Sequence, residues 1–104
     1  MKRSVRLLPE AQAEVEEAFA WYESQRKGLG LDFLLSLDAV IENVRRLPEG
    51  NEAVALRTRR AVVRRFPCLV LYTIEPDVIL ITAVFHAHRD SRKWSDRVRE
   101  GVAA

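Results

Sequence analysis

Between Pro9 and Leu47 the apolar residues recur at helical spacing, and after Leu56 they change to the two-residue rhythm of strands. Ala11, Val15, Ala18 and Tyr22 follow one helical face, with Phe19 beside it, and predict a helix over 9–27. Pro9 suits its first turn, where a missing N–H costs nothing. Glu10, Glu14, Glu16 and Glu17 crowd the positive end of the helix dipole. Arg26 and Lys27 occupy the last turn and Gly28 ends it. Phe33, Leu37, Val40, Val44 and Leu47 mark a second helix over 30–47, widened by Leu34 and Ile41 and closed by Pro48 and Gly50. Only Gly28, Leu29 and Gly30 separate the two, so they form an antiparallel helical hairpin.

The rest of the chain is strand-like. Ser4 to Leu8 alternates around Val5 and Leu7, and Leu56–Phe66 mixes Arg with Val. Leu69–Glu75 and Val78–His86 are apolar runs joined by the compact turn Glu75-Pro76-Asp77, which predicts an antiparallel pair. The order is β-α-α-β-β-β, an α+β fold with the helical hairpin on one face of a mostly antiparallel sheet of about four strands. In the last run Ile79, Ile81, Ala83 and Phe85 share one parity and are expected to face the helices. Val78, Leu80, Thr82, Val84, His86 and His88 share the other. A helical hairpin covers one face only, which leaves Val78, Leu80 and Val84 to solvent, to the folded-back tail, or to a partner chain.

Length narrows this to one domain over 1–104, with a basic tail from about residue 88. A single cysteine, Cys68, excludes an intrachain disulfide and is expected to be a buried, inert thiol. The longest apolar run has the length of a strand, and the basic N-terminus has no apolar stretch behind it, so neither a membrane span nor a signal peptide is indicated. A cytoplasmic location follows by elimination. The net charge of +2 conceals an asymmetry: residues 1–54 carry −3 and residues 55–104 carry +5. The second half therefore suits an acidic partner, either nucleic acid or protein.

Two constellations have chemical potential. His86 and His88 lie on one strand face roughly 7 Å apart, with Arg89 next in sequence. They fit a structural or interface role, or general acid–base chemistry on RNA with Arg stabilising the phosphorane charge. A third ligand with suitable spacing is missing, so no metal is assigned, and no cofactor motif is present. Arg57, Arg59, Arg60, Arg64 and Arg65 form a basic strand cluster split between two parities, which a bulge between residues 60 and 64 would realign. They either protect an edge strand by charge or bind phosphate or carboxylate through their forks. Arg92, Lys93, Arg97 and Arg99 extend the patch, and Trp94 offers a stacking surface.

Several fragments resemble the RelE/ParE superfamily of type II toxin–antitoxin toxins, on its ParE-like branch. They are Leu8-Pro-Glu-Ala11 with Glu14 and Ala20-Trp-Tyr22, then Gly28-Leu-Gly-Leu-Asp-Phe33, then Arg46-Leu-Pro48. The second half adds Arg64-Arg-Phe-Pro67, Tyr72, Ala83-Val-Phe-His86, Arg89-Asp90 and Trp94. The resemblance implies a RelE-like two-layer fold and a toxin held inactive by a tightly bound acidic antitoxin. It implies inhibition of DNA gyrase, and so of replication, as the first expectation. A protein inhibitor of this kind is not a catalyst. The alternative is a ribosome-dependent mRNA endonuclease, for which the residues would be His86, His88, Arg65 and Arg89. No tyrosine follows Tyr72 and the strands hold no lysine, which favours gyrase. A third possibility is a degenerate toxin confined to antitoxin binding and operon regulation. Target or nucleic-acid contact is expected at Arg57, Arg59, Arg60, Arg64, Arg89, Arg92, Lys93 and Trp94. Antitoxin contact is expected at Val78, Leu80 and Val84, or in the groove beside the helical hairpin.

Overall fold

The computed structural model describes residues 3–86 of the chain. Its elements run β1 (Ser4–Leu7), α1 (Pro9–Gln25), α2 (Leu29–Arg46), a short 3-10 turn (Pro48–Gly50), β2 (Arg59–Val62), β3 (Cys68–Ile74) and β4 (Val78–His86). The strands form one sheet in the order β1-β4-β3-β2. β1 lies parallel to β4, while the β4–β3 and β3–β2 pairs are antiparallel. The helical hairpin packs on one face. Ala11, Val15 and Tyr22 of α1 and Phe33, Leu37 and Val44 of α2 are buried against Val70, Tyr72, Ile79 and Ile81. This is the two-layer α+β fold that the periodicities predict.

The hairpin turn is tight because α1 caps α2. The Glu23 carboxylate accepts the backbone N–H groups of Gly28 and Gly30 at 3.0–3.1 Å, satisfying donors that begin the second helix. Gly28 has φ 89°, a left-handed conformation that glycine adopts without strain. At Gly30 a Cβ would stand 2.8 Å from the Phe19 ring, so the absence of a side chain sets how closely the helices approach.

Two expectations are corrected. The strand predicted over Leu56–Phe66 shrinks to Arg59–Val62, so its arginines do not share a common alternation. No bulge lies between residues 60 and 64. The chain instead leaves the sheet after Val62 and turns at Arg65, whose φ is 71°. The Val63 N–H then donates to the Cys68 carbonyl at 2.9 Å, and the Cys68 N–H to the Phe66 carbonyl at 2.7 Å.

The second correction concerns β4. Leu71 pairs with Ala83 but Tyr72 pairs with Ile81, so Thr82 is an extra residue, a β-bulge. Its hydroxyl donates to the Leu71 carbonyl at 3.3 Å. One inserted residue inverts every side chain beyond it. Ile79 and Ile81 face the helices as expected, but Ala83 and Phe85 do not. They are buried with Leu71 on the opposite face, where half-buried Val54 packs against them. Val84, expected on the uncovered face, belongs to the core under the helices.

Candidate functional site

The bulge brings His86 to the helix side of the sheet, at the end where β3 begins. His86 pairs in register with Cys68. Its ring stands edge-on to Trp21 of α1, with centroids 6.4 Å apart, and Trp21 meets Tyr22 in the same way at 5.1 Å. Tyr22, Phe33 and Phe66 complete an aromatic cluster with centroid separations of 4.9–5.5 Å. Such tilted and edge-to-face pairs are the favoured geometry for aromatic quadrupoles. The buried thiol of Cys68 lies 3.4 Å from the Tyr22 hydroxyl, in agreement with a packed, inert cysteine. Trp21 is 41% exposed, so the cluster reaches the surface through its indole.

Nearby, Glu14 of α1 accepts the Val84 backbone N–H at 3.0 Å. Val84 follows the bulge closely, and the carboxylate ties α1 to β4 there. Sequence periodicity places Glu14 on a solvated face and gives no sign of this contact, because it depends on a bulge three-dimensional pairing creates.

The arginine cluster disperses over the end of the sheet and its edge. Arg57 pairs with Glu75 at 3.3 Å and Arg60 with Glu52 at 2.6 Å. Arg59 donates to the Asn51 carbonyl at 2.6 Å and the Glu49 carbonyl at 3.3 Å, fastening the loop before β2. Arg65 stands 4.0 Å from Asp32, which also faces Arg26 at 3.7 Å. Arg64 has no ion pair among the described residues. Three of the expected contact residues, Arg57, Arg59 and Arg60, thus have internal acceptors. His88, Arg89, Arg92, Lys93 and Trp94 lie outside the described residues. Val78 and Leu80 stay half-buried on the helix-free face, separated from Val84 by the sheet.

Beside Arg64 a groove of about 510 Å³ separates β2 from the outer side of α2. Leu35, Ala39, Val40 and Val62 form its apolar walls, and Asp32, Arg64 and Arg65 stand at its rim. Leu35 and Val62 are 59% and 62% exposed. The sequence signal for it is weak: Leu31 and Leu35 are four residues apart on α2, off the stripe that enters the core. Among the described residues no three His, Cys, Asp or Glu side chains gather as a metal site.

No curated protein sequence matches the chain. Among solved structures, a chain of the chromosomal ParDE toxin–antitoxin system of P. aeruginosa is similar with a TM-score of 0.68 at 15% identity, covering 84% of this chain and 98% of that one. An E. coli RelE toxin, an arginine-to-alanine double mutant in the free state, is similar with a TM-score of 0.70 at 17% identity, covering 96% of this chain and 98% of that one. At these identities the likeness establishes the fold. The family model described as the ParE toxin of the type II toxin–antitoxin system parDE matches residues 5–91. With that match spanning most of the chain, and the fold shared with toxins of both kinds, the protein belongs to the ParE toxin family of type II toxin–antitoxin systems.

Proposed function

We propose that this toxin acts on DNA gyrase as a protein inhibitor, blocking replication, and that a cognate acidic antitoxin neutralises it. The observation that carries this reading is the use made of the expected catalytic groups. His86 packs edge-on to Trp21, on the helix side of the sheet. Arg65, its expected partner in RNA cleavage, belongs to the turn before β3 and lies beside Asp32. General acid–base cleavage needs a proton-transfer group and a charge-stabilising group aimed at one phosphate. An aromatic packing role for His86 supports binding over catalysis.

The deciding experiment places purified toxin in two assays, gyrase supercoiling and cell-free translation. Inhibited supercoiling with intact translation is expected. Arrested translation with unaffected gyrase would overturn the proposal in favour of mRNA cleavage. Substituting His86→Ala separates the readings again, because gyrase inhibition should persist to the extent that the variant stays folded, whereas an RNase would lose activity by about 10²-fold or more if His86 were its acid or base.

A further inference from the structure

Between the 3-10 turn and β2 the chain folds into a narrow hairpin of its own. Ala53 bridges Arg59 in antiparallel fashion, and the Arg60 N–H donates to the Glu52 carbonyl at 3.0 Å. The Val54 N–H donates to the Thr58 carbonyl at 2.9 Å. The Thr58 N–H returns to the Ala55 carbonyl at 3.4 Å and closes a four-residue turn with Leu56 and Arg57 at its centre. The stem is fastened on both sides. Arg59 holds the Asn51 and Glu49 carbonyls, Arg60 pairs with Glu52, and Thr58 is buried. The tip is therefore a fixed projection.

Leu56 is 85% exposed at that tip, more than any other large apolar side chain among the described residues. It contributes nothing to forming the turn. Turn centres favour Gly, Pro, Asn, Asp and Ser, and Leu56 has no positive φ to constrain the choice. Nor does it stand alone. Exposed Ala53 and half-buried Ala55 and Ile74 line a hollow of about 240 Å³ beside it, with Arg57, Thr58 and Arg59 around them. A knob and a hollow thus lie side by side on one fastened element.

We propose that this tip anchors the toxin to its protein target, with Leu56 entering an apolar pocket there and a target side chain entering the hollow. This rests on the gyrase reading given above and names the surface that would serve it. Charge selects the occupant. Arg57 pairs with Glu75 at 3.3 Å, and Arg59 and Arg60 hold the acceptors just named, so a phosphate or an acidic chain would have to displace these partners. The tip offers an apolar, locally neutralised surface, which fits a pocket in a folded protein. A second copy fits poorly. Two tips docked about a two-fold axis would bring Arg57 of each beside Arg57 and Arg59 of the other, because knob and hollow are neighbours.

The test measures the concentration of full-length toxin that half-inhibits supercoiling by intact gyrase. Leu56→Glu and Leu56→Ser should each raise it by about tenfold or more, while melting like the parent because the side chain they replace is exposed. Leu56→Met keeps the apolar anchor and should stay within about twofold of the parent. Ala53→Gln fills the hollow from an exposed position and should also weaken inhibition. Binding of the acidic protein encoded by the adjacent reading frame serves as the control and should be unchanged for every variant. Parent-like inhibition by Leu56→Glu overturns this inference and leaves the gyrase reading standing. Loss of the acidic-protein complex together with inhibition assigns Leu56 to that partner and also overturns it. A drop in the mass of the free toxin on substitution assigns the tip to a second copy, with the same consequence. If the parent chain leaves supercoiling untouched, the gyrase reading fails and this inference fails with it.

Discussion

At the scale of single residues, the sharpest dependence lies where a polar group has been buried with one defined partner. Tyr72 is fully buried in the core cluster, yet its hydroxyl donates to the Pro48 carbonyl at 2.6 Å and accepts from Asn51 Nδ2 at 3.2 Å. The phenol joins β3 to the end of α2. Burial pushes its pKa above the usual value, while the Asn51 hydrogen bond and the positive charge of Arg59 pull it partly back. The folded state therefore prefers the neutral phenol. Stability from this source is complete below the unfolded-state pKa of about 10 and is lost as pH rises through the higher folded-state value. Thermal melting should consequently fall more steeply above about pH 10 in the parent than in Tyr72→Phe. The same substitution leaves the Pro48 carbonyl without its phenol donor and should cost about 1–2 kcal/mol at neutral pH in denaturant titrations. Equal alkaline slopes for the two proteins would show that Tyr72 does not carry this dependence. Gly30→Ala is expected to be destabilising for a steric reason, since its Cβ would meet the Phe19 ring at 2.8 Å and the hairpin would have to open.

At the scale of elements, Thr82 decides which residues of β4 belong to which layer. Deleting it should turn β4 into a regular strand with Val84 and His86 still on the helix side, because Ile81 already pairs with Tyr72 and Ala83 with Leu71. The deletion removes the local bend of the bulge and the Thr82 bond to the Leu71 carbonyl, so the cost should stay within the roughly 0.5–3 kcal/mol of an ordinary point change, read from a cooperative melt. A deletion mutant without a cooperative melt would mean that the bend at the bulge, and not only the pairing on either side of it, holds β4 in place. This is also where sequence reasoning reached its limit. Both helices, the two-glycine turn and the β3–β4 pair were legible because their periodicities are local. Alternation placed Ile79 and Ile81 correctly and failed at Val84, because every residue from Ile79 to Phe85 except Thr82 is apolar and such a run cannot reveal where its phase changes. Threonine at the break is a common strand residue, so its identity gave no warning. The arginines failed differently. Their spacing in the sequence holds no record of Glu75, Glu52 or the Asn51 carbonyl, which tertiary folding brings to them. The groove went unplaced because it lies between α2 and β2, and no single element contains it.

For the whole molecule, the inversion at Thr82 produces two apolar clusters on opposite sides of one sheet. Tyr22, Phe33, Val70 and Ile81 belong to the cluster under the helices, whereas Leu71, Ala83 and Phe85 form the second. β3 and β4 contribute to both, so burial on either face holds the same central strands. Removing a buried aromatic from either cluster should cost about 3–5 kcal/mol in the →Ala form; Phe33→Leu and Phe85→Leu are milder probes that should leave the protein folded. If the sheet acts as a rigid partition, the losses from these two substitutions should add to within about 0.5 kcal/mol in equilibrium unfolding. Within one cluster the outcome should differ. Tyr22 and Phe33 have ring centroids 5.1 Å apart, so Tyr22→Leu combined with Phe33→Leu should show a coupling of about 0.5 kcal/mol or more. Strong coupling across the sheet with none inside the helix-side cluster would refute the two-cluster description. Additivity across the sheet and coupling within the cluster would instead mean that α1 and α2 can yield on one face without loosening the packing on the other, the mechanical independence a small toxin needs if a partner is to bind one surface and leave the rest of its fold intact.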